Sequence, residues 1–250
     1  MYEHPWVLHM SEQLRDCLQA NVDWFAIRQP TADGEPPAKL LDYACGFGMV
    51  SRTLFDHAGV IRGIDISETM VDAYNDASRK AGIPPERMLA VRGNLLDDED
   101  GGEGGGSAAI AGPEFRDVDA VFVSMALHHV SDPQALITKL VQRLAPGGVL
   151  VIMDWLVTDS DAGPMVHGHH HHEHHDHHKH DGDAATEAVH TVSRSGFSVD
   201  EMRGFFSAAG CSASTFDLHP HAERIHIPEE ISKVKGGSHG TFFIAKARKS

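Results

Sequence analysis

The segment Leu41-Asp42-Tyr43-Ala44-Cys45-Gly46-Phe47-Gly48 sets an acid and then small residues at alternate positions between an apolar run and a helix-like stretch. Small residues let a backbone approach a ligand closely, and free amides at a helix N-terminus favour an anionic group, a carboxylate as readily as a phosphate. About 17 residues beyond Gly48, Asp65 closes a second apolar run. An acid at such a strand end accepts hydrogen bonds from the two ribose hydroxyls of a nucleoside. The pair points to a nucleoside-containing ligand without saying which. Further on, Ser124 closes another apolar run, and His128 and His129 follow it. Imidazoles titrate near neutrality, so either ring could take a proton from a substrate at that strand end. The alternative is that one caps the loop and the other packs on the next helix.

These residues need a parallel βαβ scaffold to bring them together, and the chain alternates strand and helix signals accordingly. Strands are predicted over 40–43, 60–65, 88–91, 117–124 and 149–153, with two more around 214–218 and 241–247. Helices are predicted from about Trp6 to Ile27, over 49–57, after Ser67 as N-cap, and after Asp132 with Pro133 in first position. A further helix follows Ser198-Val199-Asp200-Glu201, a capping box with Phe197 placed to staple onto Met202. Two stretches break the alternation. The acidic, glycine-rich loop 97–112 buries too little apolar surface to fold alone, and the insertion 160–190 contains ten histidines between His167 and His180. That run could hold nickel, zinc or copper through its imidazoles. Its plainer reading is a solvated low-complexity insertion with incidental metal binding.

Composition bounds the rest. A chain of 250 residues with 41% hydrophobic and 23% charged content suits one sizeable α/β domain. The formal charge of −15 argues against a nucleic-acid partner, and no apolar run reaches the roughly 20 residues of a membrane span. The start Met1-Tyr2-Glu3-His4-Pro5 lacks the marks of a secretory leader. Three scattered cysteines, Cys17, Cys45 and Cys211, fit a reducing compartment better than a disulfide framework or a zinc cluster. A cytoplasmic location is therefore expected.

With its motifs in this order, the chain resembles the class I S-adenosylmethionine-dependent methyltransferases, in their small-molecule branch. The likeness runs from about 38 to 155 and resumes from Ser195. Asp42, Ala44, Gly46 and Gly48 fill the first motif, with Ala44 where a glycine is usual. Asp65 in Gly-Ile-Asp-Ile-Ser matches the ribose-binding acid, and Ile66 the residue that packs on adenine. Asn94 and Leu95 match the segment flanking adenine, where the family often has Asp in place of Asn94. Ser124 to Val130 matches the end of the fourth strand, and Gly196-Phe197-Ser198 with Ala209-Gly210 a familiar ending.

The resemblance implies a Rossmann-like, seven-stranded, mostly parallel sheet with helices on both faces and the last strand antiparallel. It implies S-adenosyl-L-methionine as cofactor, a small-molecule methyl acceptor at O, N or S, and an N-terminal helical lid over about 1–37. Tyr2, His4, Trp6 and His9 are candidates for that lid. His190 and Arg194 are candidates for the substrate mouth. A sister group of quinone-biosynthesis O-methyltransferases binds a metal through two glutamates and a histidine. Met125 and His128 stand at those glutamate positions and His129 at the histidine, so a hard-metal site of that design is not expected. Two other readings remain. A nicotinamide-dependent oxidoreductase would want a third glycine where Ser51 stands. A non-catalytic adenosyl-cofactor- or metal-binding protein would keep the cradle without turnover.

Overall fold

The computed structural model of the protein describes residues 5–29, 36–97, 109–157, 193–232 and 234–250. The histidine run, most of the acidic loop, Tyr2, His4 and His190 lie outside the described residues.

Five parallel strands carry the frame: β1 (Lys39–Tyr43), β2 (Val60–Asp65), β3 (Met88–Arg92), β4 (Val118–Ser124) and β5 (Leu144–Leu156). They continue into β6 (Asp217–Pro220), β7 (Ile225–Ile227) and β8 (Ser238–Arg248). The order β3-β2-β1-β4-β5-β8-β6 reverses between β1 and β4, and β8 runs antiparallel to both its neighbours. Seven strands were expected and eight are present among the described residues. β7 is a three-residue ladder, pairing Ile225–Ile227 antiparallel with Gly240–Ser238 at the start of β8.

Alternation along each strand divides the core into two layers. Leu40, Ile61, Ala120, Phe122, Val149 and Val151 face one side; Leu41, Ile64, Val121, Val123, Leu150 and Ile152 face the other. Both faces of a parallel sheet must be covered, which is why these strands read as nearly unbroken apolar runs. The first layer is closed by α1 (Pro5–Ala20), the short α2 (Val22–Phe25), α3 (Met49–Thr53) and α4 (Glu68–Lys80). The second is closed by α5 (Pro133–Arg143) and α6 (Val199–Ala208). A last turn of helix, α7 (Glu229–Ser232), precedes β8.

The predicted caps form. Ser67 accepts from the Met70 amide, Asp132 from the Ala135 amide, and Ser198 and Glu201 make both bonds of the capping box. The single helix expected over 6–27 is broken at Asn21, whose side-chain amide donates to the Cys17 carbonyl at 2.8 Å and so satisfies a terminal acceptor. The strand expected from Ser214 starts at Asp217 instead, because Ala213–Thr215 coil into a 3₁₀ turn held by Thr215 Oγ1 on the Ser212 carbonyl.

The segment after α1 clamps it to the sheet. Arg28 grips Asp119 through Nε and Nη2 at 2.6 and 3.2 Å, and Trp24 Nε1 donates to Asp217 at 3.0 Å. Among the described residues no helix is long and apolar enough to cross a membrane.

Candidate active site

Tyr43, Asp65 and Ser124 are the last residues of β1, β2 and β4, and all three line one cavity of about 620 Å³. That volume is within the range of small-molecule sites, and the position is where open α/β sheets bind ligands.

Its floor is the turn from β1 into α3. Ala44, Gly46 and Gly48 all take left-handed backbone conformations, with φ of 55°, 50° and 86°. Ala44 makes the turn despite its methyl group, at the cost of about 1–2 kcal/mol that a left-handed L-residue carries. A Cβ on Gly46 would meet nothing within 4 Å, whereas one on Gly48 would lie 2.6 Å from the Tyr74 ring. Gly46 therefore leaves space on the cavity side, and Gly48 lets α3 and α4 close up.

Asp65 ties the floor to the next strand. Its Oδ2 accepts from the Gly46 amide at 2.8 Å and its Oδ1 from the Ser67 amide at 2.9 Å. Each oxygen keeps a further lone pair for a ligand hydroxyl. Asp42 is almost fully buried, and its Oδ2 accepts from Ser51 Oγ at 2.6 Å and the Ser51 amide at 3.1 Å. Burial pushes its carboxyl up to about 7, against the lowering effect of the Ser51 bonds. A cationic ligand group beside it would restore the charge.

On the far side, Ile66 is 67% exposed beside the cavity, an apolar surface on which a flat ring could rest. Asn94 Oδ1 accepts from Tyr43 Oη at 3.0 Å and from the Leu96 amide at 3.1 Å, while its Nδ2 donates to Asp97. Leu95, expected at the adenine edge, is buried in the second core layer; Leu96 lines the cavity in its place. The turn fixed by the Asn94 bonds reverses the side chains there. The Ser124 Oγ is buried with no partner among the described residues, an orphan that a ligand polar group would satisfy.

The roof comes from α1, and of the lid candidates among the described residues neither Trp6 nor His9 lines the cavity. Val7, Met10, Ser11 and Leu14, one helical face, line the cavity, while His9 is exposed and bonds Gln13. The periodicity of α1 carried that signal.

β4 ends in a kink. Met125 adopts φ 52°, held by its amide on the Met153 carbonyl at 2.8 Å, and Leu127–His129 form a 3₁₀ turn. Met125, Ala126, His129 and Val130 line the cavity; His128 does not, and its Nδ1 lies 2.8 Å from the buried Asp154. Arg194 stands outside the lining, bonded to Glu201 and Gly196. Sequence reasoning missed Ser51, Tyr43 and Asp154. Only Asp154 left a trace, as a lone acid within an apolar strand that must find a partner.

Comparison with known proteins agrees with this geometry. Residues 41–150 match the family described as a methyltransferase domain. An uncharacterized methyltransferase of Schizosaccharomyces pombe is 40% identical over 130 residues, 52% of this chain and 42% of that one. The ubiquinone biosynthesis O-methyltransferase of Coxiella burnetii is 26% identical over 111 residues, 44% and 41% of the two chains. The matched part thus spans about two fifths of each of these curated relatives. The YcgJ protein of Bacillus subtilis aligns over 91% of this chain and 98% of its own, with a TM-score of 0.60 at 13% identity, a likeness of fold alone.

Fold and site together define a Rossmann-like methyltransferase domain. Residues 41–150 carry the match to that family, and the strand order and the cavity at the ends of β1, β2 and β4 are consistent with it.

Proposed function

We propose that this protein transfers the methyl group of S-adenosyl-L-methionine to an O, N or S atom of a small molecule. The observation that carries the reading is the convergence, in one cavity, of Asp42, the Ala44–Phe47 turn, Asp65, Ser124 and His129. The residues present fit such a cofactor: open space over Gly46, lone pairs on Asp65, and the orphan hydroxyl of Ser124. Asp65 would hold the ribose hydroxyls, Ile66 and Asn94 the adenine, and Asp42 with the turn amides the amino-acid end. When bound, the cofactor supplies an electrophilic methyl group on a sulfonium.

The chain's own part is alignment and exclusion of water. Val7, Met10 and Leu14 above and Met49, Val50 and Met125 around make the wall largely apolar. In such surroundings cancellation of charge between acceptor and methyl donor is favoured more strongly than in water. His129 is the imidazole in the cavity wall, and we assign it the proton of a phenol or thiol acceptor. An amine or ionised thiolate would need positioning only.

Relatives named O-methyltransferases make an oxygen acceptor the first to try. The acidic charge disfavours nucleic acid as substrate. Free, buried Cys17, Cys45 and Cys211 support a reducing, cytoplasmic setting. The test is incubation with methyl-labelled S-adenosylmethionine and separate phenol, amine and thiol panels, with the label located by mass spectrometry. Label on an acceptor is the expected result. Cofactor binding without transfer to any class would favour a cofactor-binding scaffold.

A further inference from the structure

Asp154 is a carboxylate with no exposed surface in the middle of the sheet. Its Oδ1 accepts from His128 Nδ1 at 2.8 Å and from the Trp155 amide at 2.7 Å, and its Oδ2 from the His128 amide at 3.2 Å. Two of these three bonds go to one histidine, one to its ring and one to its backbone. The carboxylate therefore fixes both the path of the 3₁₀ turn and the rotation of the ring. Burying such a pair adds little net stability over a packed apolar pair of the same volume; what it confers is orientation.

The oriented object lies next door. The His128 and His129 rings pack with centroids 4.1 Å apart and an interplanar angle of 39°. His129 lines the cavity while His128 is behind it. The turn is gripped from outside as well. The amides of Ser193 and Arg194 donate to the His128 carbonyl at 3.0 and 3.2 Å, and Ser193 Oγ donates to the His129 carbonyl at 3.0 Å. Upstream, Met125 enters the turn in a left-handed conformation with its amide on the Met153 carbonyl.

We infer that Asp154 and His128 are positioning residues, a buried pair that holds the His129 ring in one direction in the cavity wall. The inference rests on the reading of this cavity as a methyl-transfer site with His129 facing the acceptor. Neither Asp154 nor His128 lines the cavity. Their loss should therefore spare the cofactor and reach the acceptor only through His129.

The test combines ring spectroscopy with kinetics on the full chain. The ¹⁵N ring signals of His129, assigned by their loss in His129→Gln, are compared in wild type, Asp154→Ala, Asp154→Asn and His128→Asn. One sharp set is expected in wild type, broadened or doubled sets in Asp154→Ala, and partial recovery in Asp154→Asn, whose amide oxygen can still accept from His128. His128→Asn keeps a donor to Asp154 but removes the ring on which His129 packs, so it should broaden the set too.

Turnover of a phenolic acceptor should fall about 10–100-fold in Asp154→Ala, with affinity for S-adenosylmethionine by calorimetry within about twofold of wild type. A sharp, unshifted His129 set in folded Asp154→Ala would overturn the inference. If that variant does not fold, the same wild-type signal in His128→Asn would overturn it. Should wild type transfer no methyl group, the functional reading fails, and the ring signals with the calorimetry still decide the positioning.

Discussion

Asp42 occupies surroundings that oppose its charge. It is buried, and its carboxyl is raised to about 7 because the desolvation effect exceeds the help from Ser51. Between about pH 4 and 7 an unfolded chain releases this proton while the folded chain keeps it, so stability falls as pH rises through that window. We expect ligand-free Asp42→Asn to be more stable than wild type at pH 8, by at most roughly 4 kcal/mol, and to unfold at higher temperature. The two should converge near pH 4. The same variant should bind S-adenosylmethionine more weakly, and thermal melts across pH with calorimetry check both halves. His129 carries a different dependence. With a phenol or thiol acceptor, His129→Ala should lose about 10²–10⁴-fold in turnover at pH 7, recover as pH rises and solvent ionises the acceptor, and leave cofactor affinity nearly unchanged. A flat ratio of mutant to wild type across pH would remove His129 as the base.

The glycines of the first turn separate two requirements that one motif combines. Gly48→Ala drives a Cβ to 2.6 Å from Tyr74 and holds it at φ 86°, so it should destabilise the whole domain by at least about 1–2 kcal/mol. Gly46→Ala has the room but narrows the cavity floor, so its melting temperature should change less while cofactor affinity falls. Denaturation and calorimetry on the two variants separate these effects, and equal stability losses would contradict the distinction. Elements of this kind were legible because their signals are local. Ser67, Asp132 and the Ser198 box cap helices within three residues of themselves. The bonds from Tyr43 to Asn94 and from His128 to Asp154 span 51 and 26 residues, and no local pattern encodes them. The cavity-facing side of α1 was half legible. Leu14 lay on the expected apolar stripe, but periodicity alone does not say which residues of the helix border a cavity.

At the scale of the molecule, parallel strands buried on both faces announce themselves as apolar runs, and that fixed the order of elements and the place of the cavity. β7 escaped because Ile225-His226-Ile227 is too short to show a period and owes its ladder to the neighbouring Ser238–Gly240. The histidine run is a compositional outlier with no apolar period, so replacing His167 to His180 by a glycine-serine linker should leave methyl transfer largely intact. Loss of turnover with cofactor binding preserved would give that insertion a part in the reaction. Cofactor recognition turns on one ligand meeting one carboxylate, Asp65, at the end of β2. The direct measurement is titration calorimetry of S-adenosylmethionine against wild type and Asp65→Ala. We expect one site per chain in wild type and at least about tenfold weaker binding in the variant, as the loss of charged hydrogen bonds to ribose requires. No binding to wild type, or equal affinity in both proteins, would contradict it.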